Sequence, residues 1–341
     1  MSGRPGEWGP VAASDVALVV PVGGAAPAWG RCARSLARLE PRPGEIVVVL
    51  DGPNEEHAAT AAGIGARVLV LPERGGPARA RNRGAEAARG DVLLFLDSDV
   101  EVPRDLVARV AAALDERPGV AAVFGSYDDA PGDPGFLSQY RNLLHHFVHQ
   151  ASREEASTFW AGCGAVRRGA FTAVGGFDEG YARPSVEDIE LGSRLVRAGY
   201  AICLVKDLQV KHLKQWRLGD MLSTDLLRRA APWTELMLRE KRVVNDLNVR
   251  TRDRASVLLA FAPLLTLLAG WRWPLLLGTT AVAGTLIVAL NASFFSFLRR
   301  RRGLPFSAAT LPAYWAFLLV CGAGFALGLL RHLGRRILPK L

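Results

Sequence analysis

Residues 90–99 read Gly-Asp-Val-Leu-Leu-Phe-Leu-Asp-Ser-Asp, and this stretch decides the fold. Its five consecutive apolar residues, 92–96, form a run typical of a strand that is buried on both faces of a sheet. Asp97 and Asp99 follow where that strand ends, so both carboxylates can reach one divalent cation. Hard cations such as Mg²⁺ or Mn²⁺ prefer such oxygen ligands together with substrate phosphates. Aspartates are also frequent in turns, where their side chains hydrogen-bond the backbone, so the motif alone leaves both interpretations open.

Apolar runs of the same kind flank this stretch and alternate with helical patterns. The β-rich runs are residues 16–22, 45–50, 68–71, 92–96 and 120–124. The candidate helices are residues 29–40, 55–62, 78–89 and 104–116. The alternation predicts an α/β domain over residues 15–212, after a tail of residues 1–14, with a mostly parallel sheet covered by helices. Ligands of such sheets bind at the carboxyl ends of the strands, which makes the residues after each run the candidate site.

Residues 125–160 do not follow this alternation. They are polar and punctuated by Gly and Pro at first, then aromatic and His-rich. We expect them to form an insertion or a mobile loop that leads to the site.

The net charge of +9 on this chain of 341 residues could indicate a nucleic-acid partner. Residues 251–341, however, hold 11 Lys or Arg and one acidic residue, whereas the first 250 residues hold 31 basic and 32 acidic residues. The excess basic residues flank long apolar runs, so we interpret them as membrane-flanking charge and expect no nucleic-acid partner.

The cysteines and the N-terminus indicate the compartment. The four cysteines lie far apart in the sequence and form no metal-ligand pattern, which is typical of free thiols in a reducing compartment; they are Cys32, Cys163, Cys203 and Cys321. Residues 1–10 contain no apolar run behind a basic start, so no secretory signal is visible. We therefore expect the α/β domain to face the cytoplasm.

Three apolar stretches without a charged residue follow Arg254, at residues 255–270, 274–297 and 308–330. At about 1.5 Å per residue the second and third are ~35 Å long, which suffices to cross a hydrocarbon layer of roughly 30 Å, while the first is ~24 Å long. We therefore predict a multi-pass protein of the inner (plasma) membrane, with two or three transmembrane helices in residues 255–341. Buried core helices of a soluble domain are the alternative.

The positive-inside rule bears on the number of these spans. Three crossings from a cytoplasmic start leave Arg299 to Arg302 inside, as the rule requires, but leave Arg331, Arg335 and Lys340 outside, which breaks it. One of the three stretches is then re-entrant or interfacial. Residues 213–254 are basic and amphipathic, which is typical of helices that lie on a membrane surface, or of helices that pack on a domain with a solvated basic face.

Polar residues follow other predicted strands as well. Asp51 ends the second strand, where its carboxylate can accept hydrogen bonds from a ribose or a base edge. Residues 77–84, Pro-Ala-Arg-Ala-Arg-Asn-Arg-Gly, start a helix with guanidinium groups that suit a diphosphate. Further on, Asp188 could take a proton from an acceptor hydroxyl as a general base. Ser185 and Asp188 also match a capping box that opens a helix to about Ala198, and both roles can coexist.

The order of these motifs resembles the family 2 glycosyltransferases of the GT-A fold over roughly residues 15–216. The resemblance rests on Val-Pro-Val at 20–22, Asp51, Ala-Arg-Asn-Arg-Gly at 80–84, Gly-Asp at 90–91 leading into Asp97-Ser98-Asp99, Gly-Gly-Phe-Asp-Glu at 175–179, and Glu187-Asp188. It implies a nucleotide-sugar-binding, Rossmann-like mixed sheet flanked by helices.

The resemblance also implies roles for individual residues. Pro21, Val22 and Asp51 would line the nucleotide pocket. Arg81 and Asn82 would lie near the donor. The metal site, for Mn²⁺ or Mg²⁺, would consist of Asp97, Asp99 and His212, with Asp97 also managing the ribose. The catalytic acidic pair would be Glu187 and Asp188, with Asp188 as the base.

Two tryptophans are further substrate-binding candidates, and the sequence departs from the family at one motif. Trp160 and Gly162 lie in a segment that borders the donor sugar and acceptor in the family, where Trp160 could stack on a sugar ring or belong to the core. The processive members carry a Gln-x-x-Arg-Trp motif, whereas this chain has Lys-Gln-Trp-Arg at 214–217, with Trp216 as a further substrate-binding candidate. The membrane portion is also too short for a polymer channel, which favours a non-processive enzyme.

We therefore expect an inverting hexosyltransferase that uses a nucleotide-diphosphate sugar, UDP-linked by default, and a lipid-linked or surface-glycan acceptor near the membrane. The alternative is a non-catalytic nucleotide-sugar-binding subunit of an envelope-assembly complex. The third possibility, a nicotinamide dehydrogenase, is disfavoured because Val22-Gly-Gly-Ala-Ala26 contains no G-x-G-x-x-G.

Overall fold

The computed structural model describes residues 8–241, 245–270 and 277–337. The chain divides into two compact units, one ending at Gln215 and the other beginning at Trp216. The predicted α/β domain corresponds to the first unit, and the predicted interfacial and membrane regions correspond to the second.

The first unit is built on one sheet of nine strands. The strands are β1 (Val16–Gly23), β2 (Glu45–Asp51), β3 (Arg67–Val70), β4 (Val92–Leu96), β5 (Val100–Glu101), β6 (Val120–Tyr127), β7 (Glu155–Ala156), β8 (Cys163–Arg167) and β9 (Ala201–His212). Their order is β3-β2-β1-β4-β8-β6-β9-β5, and β7 pairs with β9.

The sheet is mixed rather than mostly parallel. β1, β2, β3 and β4 run parallel, as the βα alternation predicts. β8 then enters antiparallel between β4 and β6. Since β8 follows β6 by way of a long helix and arrives from the opposite direction, the local sequence pattern did not reveal its orientation. The insertion of β8 brings residues 160–163 beside the end of β4.

Seven helices cover the sheet. They are α1 (Trp29–Leu36), α2 (Glu55–Gly63), α3 (Gly76–Ala87), α4 (Leu106–Asp115), α5 (Phe136–Ala151), α6 (Arg168–Ala173) and α7 (Glu187–Arg197). The first four match the predicted helices, with ends that differ by up to four residues. α3 approaches β1 so closely that a Cβ at Gly84 would overlap the side chain of Val19, which explains the glycine after Arg83.

Residues 125–160 and the described end of the predicted tail are packed parts of this unit. Residues 125–160 are not a mobile loop, because β6 continues to Tyr127 and α5 buries eight of its side chains, among them Tyr140, Leu143 and His146. The part of the predicted tail that is described, residues 8–14, is also packed: Val11 is buried in the core, and the guanidinium carbon of Arg167 lies 5.4 Å from the ring centre of Trp8.

The second unit is helical. It contains α8 (Leu218–Ser223), a π-helical stretch (Thr224–Ala230), α9 (Ala231–Glu240), α10 (Thr251–Gly270), α11 (Leu277–Leu290) and α12 (Ala292–Ile337). α12 is broken at Gly303, whose φ of 85° is outside the helical region.

The predicted apolar stretches map onto the last three helices. Among the described residues, one helix, Ala292–Arg335, is long and apolar enough to cross a membrane, and Gly278–Leu290 is a shorter apolar helix. The stretch predicted at 274–297 is divided at Asn291 between α11 and α12, and its residues 274–276 lie outside the described part of the chain.

Candidate active site

The two aspartates of the Asp-Ser-Asp motif lie where β4 ends, and the sheet brings a histidine to them. β5 begins directly after Asp99 and pairs antiparallel with β9, with Val100 opposite His212. This register places Nε2 of His212 3.7 Å from Oδ2 of Asp99. The ring of Tyr127 stacks on the imidazole at a centroid distance of 4.0 Å and an angle of 14°. The predicted pairing of Asp99 and His212 is therefore brought together by two distant strands.

Arg81 connects the end of β4 to the start of α7. Its Nη2 lies 2.7 Å from Oδ1 of Asp97, and its Nη1 lies 2.9 Å from Oε1 of Glu187. The guanidinium carbon also lies 5.4 Å from the ring centre of Phe177. The side chain is only 5% exposed, so this ion pair is largely shielded from water. Two carboxylates 90 residues apart in the sequence thus share one buried cation.

The acidic pair opens α7, but no capping box forms. The residue that precedes the helix is Val186 rather than Ser185, and no side chain caps it. Instead, Oδ1 of Asp188 accepts a hydrogen bond from the amide of Ile189 at 2.8 Å, and Oδ2 accepts one from the amide of Ala161 at 3.2 Å. Asp188 therefore bridges the first turn of α7 and the segment before β8, and it lies beside the same carboxylate cluster as Arg81.

The pKa values of the three aspartates diverge. Burial, and then the neighbouring Glu187, raise the pKa of Asp188 to about 7, against the opposing effect of Arg81. Burial also raises the pKa of Asp97, although Arg81 opposes it. For Asp99, burial acts in the same direction but is outweighed by His212 and Lys214, so its pKa is lowered. One carboxylate is thus suited to proton transfer near neutral pH, and another stays ionised.

Trp160 is half-buried at the edge of this cluster. Its ring centre lies 4.8 Å from that of Tyr127, 5.2 Å from that of His145 and 5.4 Å from that of His149. A Cβ at Gly162 would overlap the indole, so glycine is needed for the ring to lie there. Sequence reasoning missed the residues that hold Trp160 from β6 and α5; the run of histidines in residues 145–149 was the available signal.

The remaining predicted substrate-binding residues serve largely as supports. Asp51 accepts hydrogen bonds from the amides of Gly75 and Gly76 at 2.7 and 3.0 Å, which holds the loop before α3. Val22 is buried in the core. The side chains of Pro21 and Val22 are therefore turned away from solvent, and the neighbouring backbone at Gly23 is the exposed part of this strand end.

Asn82 binds the loop that follows α6. Its Nδ2 donates to the carbonyl of Phe177 at 2.9 Å and to Oε1 of Glu179 at 3.0 Å, and its Oδ1 accepts from the amide of Phe177 at 2.8 Å. The whole carboxamide is thus used within the protein. Trp216 is buried within the second unit, at 9% exposure, and its predicted role in substrate binding stays a prediction.

The donor set fits a divalent cation bound jointly by protein and substrate. In the described part of the chain no three His, Cys, Asp or Glu side chains cluster as metal ligands. Asp97 and Asp99 are each about a third exposed, at 31% and 32%, and Asp97 uses Oδ1 for Arg81, which leaves Oδ2. Together with His212 they provide oxygen and imidazole ligands, and phosphate oxygens of the substrate would complete the coordination of Mn²⁺ or Mg²⁺.

Known proteins resemble this chain in sequence and in fold. The family model of glycosyl transferase family 2 matches residues 17–175, and that of the N-terminal domain of galactosyltransferase matches residues 141–217. The pre-mycofactocin glycosyltransferase of Mycobacterium tuberculosis is 30% identical over 61% of this chain and 45% of its own length. The N-acetylglucosaminyl-diphospho-decaprenol L-rhamnosyltransferase of the same species is 46% identical over 30% of this chain and 31% of its own length.

The chain thus spans less than half the length of these curated relatives. Among solved structures, a mannosyltransferase from Pyrobaculum calidifontis in complex with GDP-Man and Mn²⁺ superposes with a TM-score of 0.55 at 18% identity, over 92% of this chain and 87% of that one. This likeness concerns the fold. By the matched family model, the mixed sheet and the relatives together, residues 17–175 form a family 2 glycosyltransferase domain of the GT-A fold.

Proposed function

We propose that this chain is an inverting glycosyltransferase that moves a hexose from a nucleotide-diphosphate sugar to an acceptor hydroxyl, with Asp188 as the general base. The observation that carries the proposal is the position of Asp188: beside the cluster joined by Arg81, with a pKa of about 7. A base with a pKa near the working pH combines a useful ionised fraction with enough basicity to take the proton.

The other residues of the cluster have separate tasks. Arg81 pairs with Asp97 and with Glu187, and so it holds the end of β4 at a fixed distance from the start of α7. The carboxylates at the end of β4 would then face the diphosphate of the donor. The amide of Ala161 orients Asp188 for the acceptor. Trp160 provides an apolar ring against which a sugar face can pack. A divalent cation bound through Asp97, Asp99 and His212 would neutralise charge on the departing diphosphate.

The donor and acceptor are proposed from charge and composition. UDP-sugar remains our default donor, although the mannosyltransferase with a similar fold binds GDP-Man. We propose a lipid-linked or surface-glycan acceptor at the inner membrane, because the second unit exposes apolar side chains such as Leu258 at 77% and Val282 at 60%. The catalytic unit would then act from the cytoplasmic side of a multi-pass protein.

The test uses the full chain in native membranes with radiolabelled nucleotide sugars and Mn²⁺. Asp188→Asn should lower transfer by about 10²- to 10⁴-fold, the usual contribution of a general base, while the nucleotide still binds. The matched control is Asp207→Asn, which removes the same charge from an exposed position on β9 and should transfer at the wild-type rate. Wild-type transfer by Asp188→Asn would refute the assignment of the base.

Two further readouts separate the alternatives. The rate constant kcat should rise with pH through about 7 and then level, because only ionised Asp188 accepts a proton. The anomeric configuration of the product, read by NMR, should be opposite to that of the donor. Donor binding without any transfer in the wild-type protein would instead support a non-catalytic subunit.

A further inference from the structure

Helix α9 is fastened to the end of α12. The carboxylate of Glu235 lies 3.6 Å from Nη1 of Arg331 and 2.9 Å from Nη1 of Arg335. The two helices also touch without intervening side chains, since a Cβ at Gly328 would lie 2.5 Å from the carbonyl oxygen of Ala231. The end of α12 and α9 must therefore lie at the same level relative to a membrane.

The segment that contains α9 is too charged to lie in hydrocarbon. Residues 225–241 include seven charged side chains, which are Asp225, Arg228, Arg229, Glu235, Arg239, Glu240 and Lys241. A single charged residue at the centre of a bilayer costs at least about 2.5–3.5 kcal/mol. α9 thus lies at the membrane surface, and so do Arg331 and Arg335.

The contact of Glu235 with Arg331 determines whether the chain crosses the bilayer an odd or an even number of times between them. A chain that leaves the side of Glu235 and returns to the same side at Arg331 has crossed the bilayer an even number of times. Three apolar stretches separate these two residues in the sequence, so the three cannot all be spans.

α10 and the segment after it have the length and pairing of a transmembrane hairpin. They run antiparallel, because the hydroxyls of Thr266 and Thr280 are 2.8 Å apart and Nδ2 of Asn291 donates to Oγ of Ser256 at 2.9 Å. The helical hydrogen bonds continue through Asn291, from its amide to Ile287 at 3.1 Å. Residues 277–298 extend about 33 Å, which suffices to span. α10 has 20 residues, or about 30 Å, so it reaches across the layer with Arg252, Asp253 and Arg254 at the membrane surface and its uncharged part, about 24 Å long, in the hydrocarbon.

The chain turns back at Gly303, and residues 304–337 then meet the hairpin near its charged end. The hydroxyl of Tyr314 donates to Oδ1 of Asn291 at 2.8 Å, and Nε1 of Trp315 donates to the carbonyl of Ala260 at 2.9 Å. Gly322 packs against Val257, because a Cβ at Gly322 would lie 3.1 Å from the side chain of Val257. The contacts of Trp315 and Gly322 involve the first half of α10, the half that follows Arg252 and Arg254, and Asn291 is itself bonded to Ser256 in that half.

Residues 304–337 also expose their large apolar side chains on one side only. Their exposed large apolar residues are Leu304, Leu311, Phe325, Leu330, Leu333 and Ile337. At about 100° per residue these side chains fall within an arc of roughly 140°. Gly328, Arg331 and Arg335 lie on the opposite side, which faces α9. A helix with one apolar face and one basic or packed face is typical of the bilayer interface.

We propose that the second unit crosses the bilayer twice, through α10 and through residues 277–298, and that residues 304–337 lie beside α9 on the membrane surface with their apolar face in the lipid. This rests on the membrane location proposed above. Arg299 to Arg302 then lie on the same side as Arg331 and Arg335, so every one of these charges obeys the positive-inside rule and can meet anionic headgroups.

The test is side-specific labelling of the full chain in sealed membrane vesicles of known orientation. Cys321→Ser removes the one half-buried native thiol, since the other three are buried. Single cysteines are then introduced as Gly278→Cys and Arg300→Cys, at exposed positions, and as Gly334→Cys, which lies outside the apolar arc and has open space around a Cβ. Each is treated with a membrane-impermeant maleimide. We expect positions 300 and 334 to react from one side and position 278 from the other.

Other patterns overturn the proposal. Labelling of position 334 from the same side as 278, with 300 on the other side, means an odd number of crossings, and labelling of all three positions from one side means none. Release of the protein by alkaline carbonate also excludes spans. The same labelling in an Asp188→Asn background separates the two proposals, because it reports the topology of a protein that does not transfer sugar. If the wild-type protein shows the expected labelling but no transfer activity, the enzymatic proposal alone is refuted.

Discussion

Replacing Arg81 by methionine removes the cation shared by Asp97 and Glu187. Methionine keeps much of the volume, so the main loss is charge: Glu187 is left at 5% exposure without the guanidinium that pairs with it. Removing one partner of a buried ion pair usually costs about 3–5 kcal/mol, because the other charge stays buried and uncompensated. Asp97, at 31% exposure, recovers part of its solvation and adds less.

The assay is thermal unfolding of the full chain in detergent, with wild type and variant side by side. For a folded unit of about 200 residues, 1 kcal/mol shifts Tm by roughly 2–4 °C, so we expect Arg81→Met to melt roughly 6–20 °C lower at pH 8. The difference should shrink as the pH falls towards 4, since the pKa of Asp97 is raised by burial and its protonated carboxyl no longer needs the cation. Arg81→Lys should lie between, because one ammonium cannot bridge both carboxylates as the planar guanidinium does.

The matched control is Arg83→Met, two residues further along α3. Arg83 is 44% exposed and pairs with Glu86, itself 60% exposed, and such surface pairs contribute about 0–1 kcal/mol. Its Tm should therefore stay close to that of the wild type. Equal melting of Arg81→Met and Arg83→Met at pH 8 would refute the buried bridge as a source of stability.

Three further predictions follow from the site. Because the pKa of Asp188 is raised, the folded protein holds a proton on this side chain between pH 3.8 and about 7, whereas the unfolded protein releases it. The free energy of unfolding therefore falls as the pH rises through this range. Asp188→Asn should raise Tm at pH 8, and the gain should vanish towards pH 4 in thermal scans. Gly176→Ala should destabilise more than Gly175→Ala: both have positive φ, 70° and 81°, but only at Gly176 would a Cβ meet Oδ1 of Asn82, at 2.8 Å, and equal losses in urea unfolding would contradict this contact. Tyr127→Leu, but not Tyr127→Phe, should weaken Mn²⁺ binding several-fold in a metal-dependent thermal shift with nucleoside diphosphate, because only the phenyl ring preserves the stack on His212; equal affinities would show that the stack does not position the histidine.

Local pattern was sufficient for much of the first unit. The five predicted strands and four helices up to residue 124 are all present, because each is encoded by a periodicity within its own few residues. The same pattern failed for residues 125–160. α5 is stabilised by burial against β6 and β9, and a helix with buried polar residues such as Asn142 and His146 has no clean apolar stripe to recognise.

The candidate site shows the same division. The sequence by itself predicted which residues carry chemistry, because Asp97, Asp99, Glu187 and Asp188 are acids that suit a diphosphate-displacing reaction, and that assignment stays a prediction. It did not determine their partners. Asn82, which was predicted to lie near the donor, holds the loop after α6, and Val186 rather than Ser185 is the N-cap of α7.

Only the tertiary structure decided how these residues are combined. Arg81 meets Glu187 across 106 positions of sequence, His212 reaches Asp99 through the pairing of β5 with β9, and Glu235 meets Arg335 across the apolar stretches. Periodicity and composition describe a segment's own preference for helix, strand or lipid, which is short-range. Ion pairs, strand order and the number of membrane crossings depend on which distant segments come together, and that follows from the packing of the whole chain.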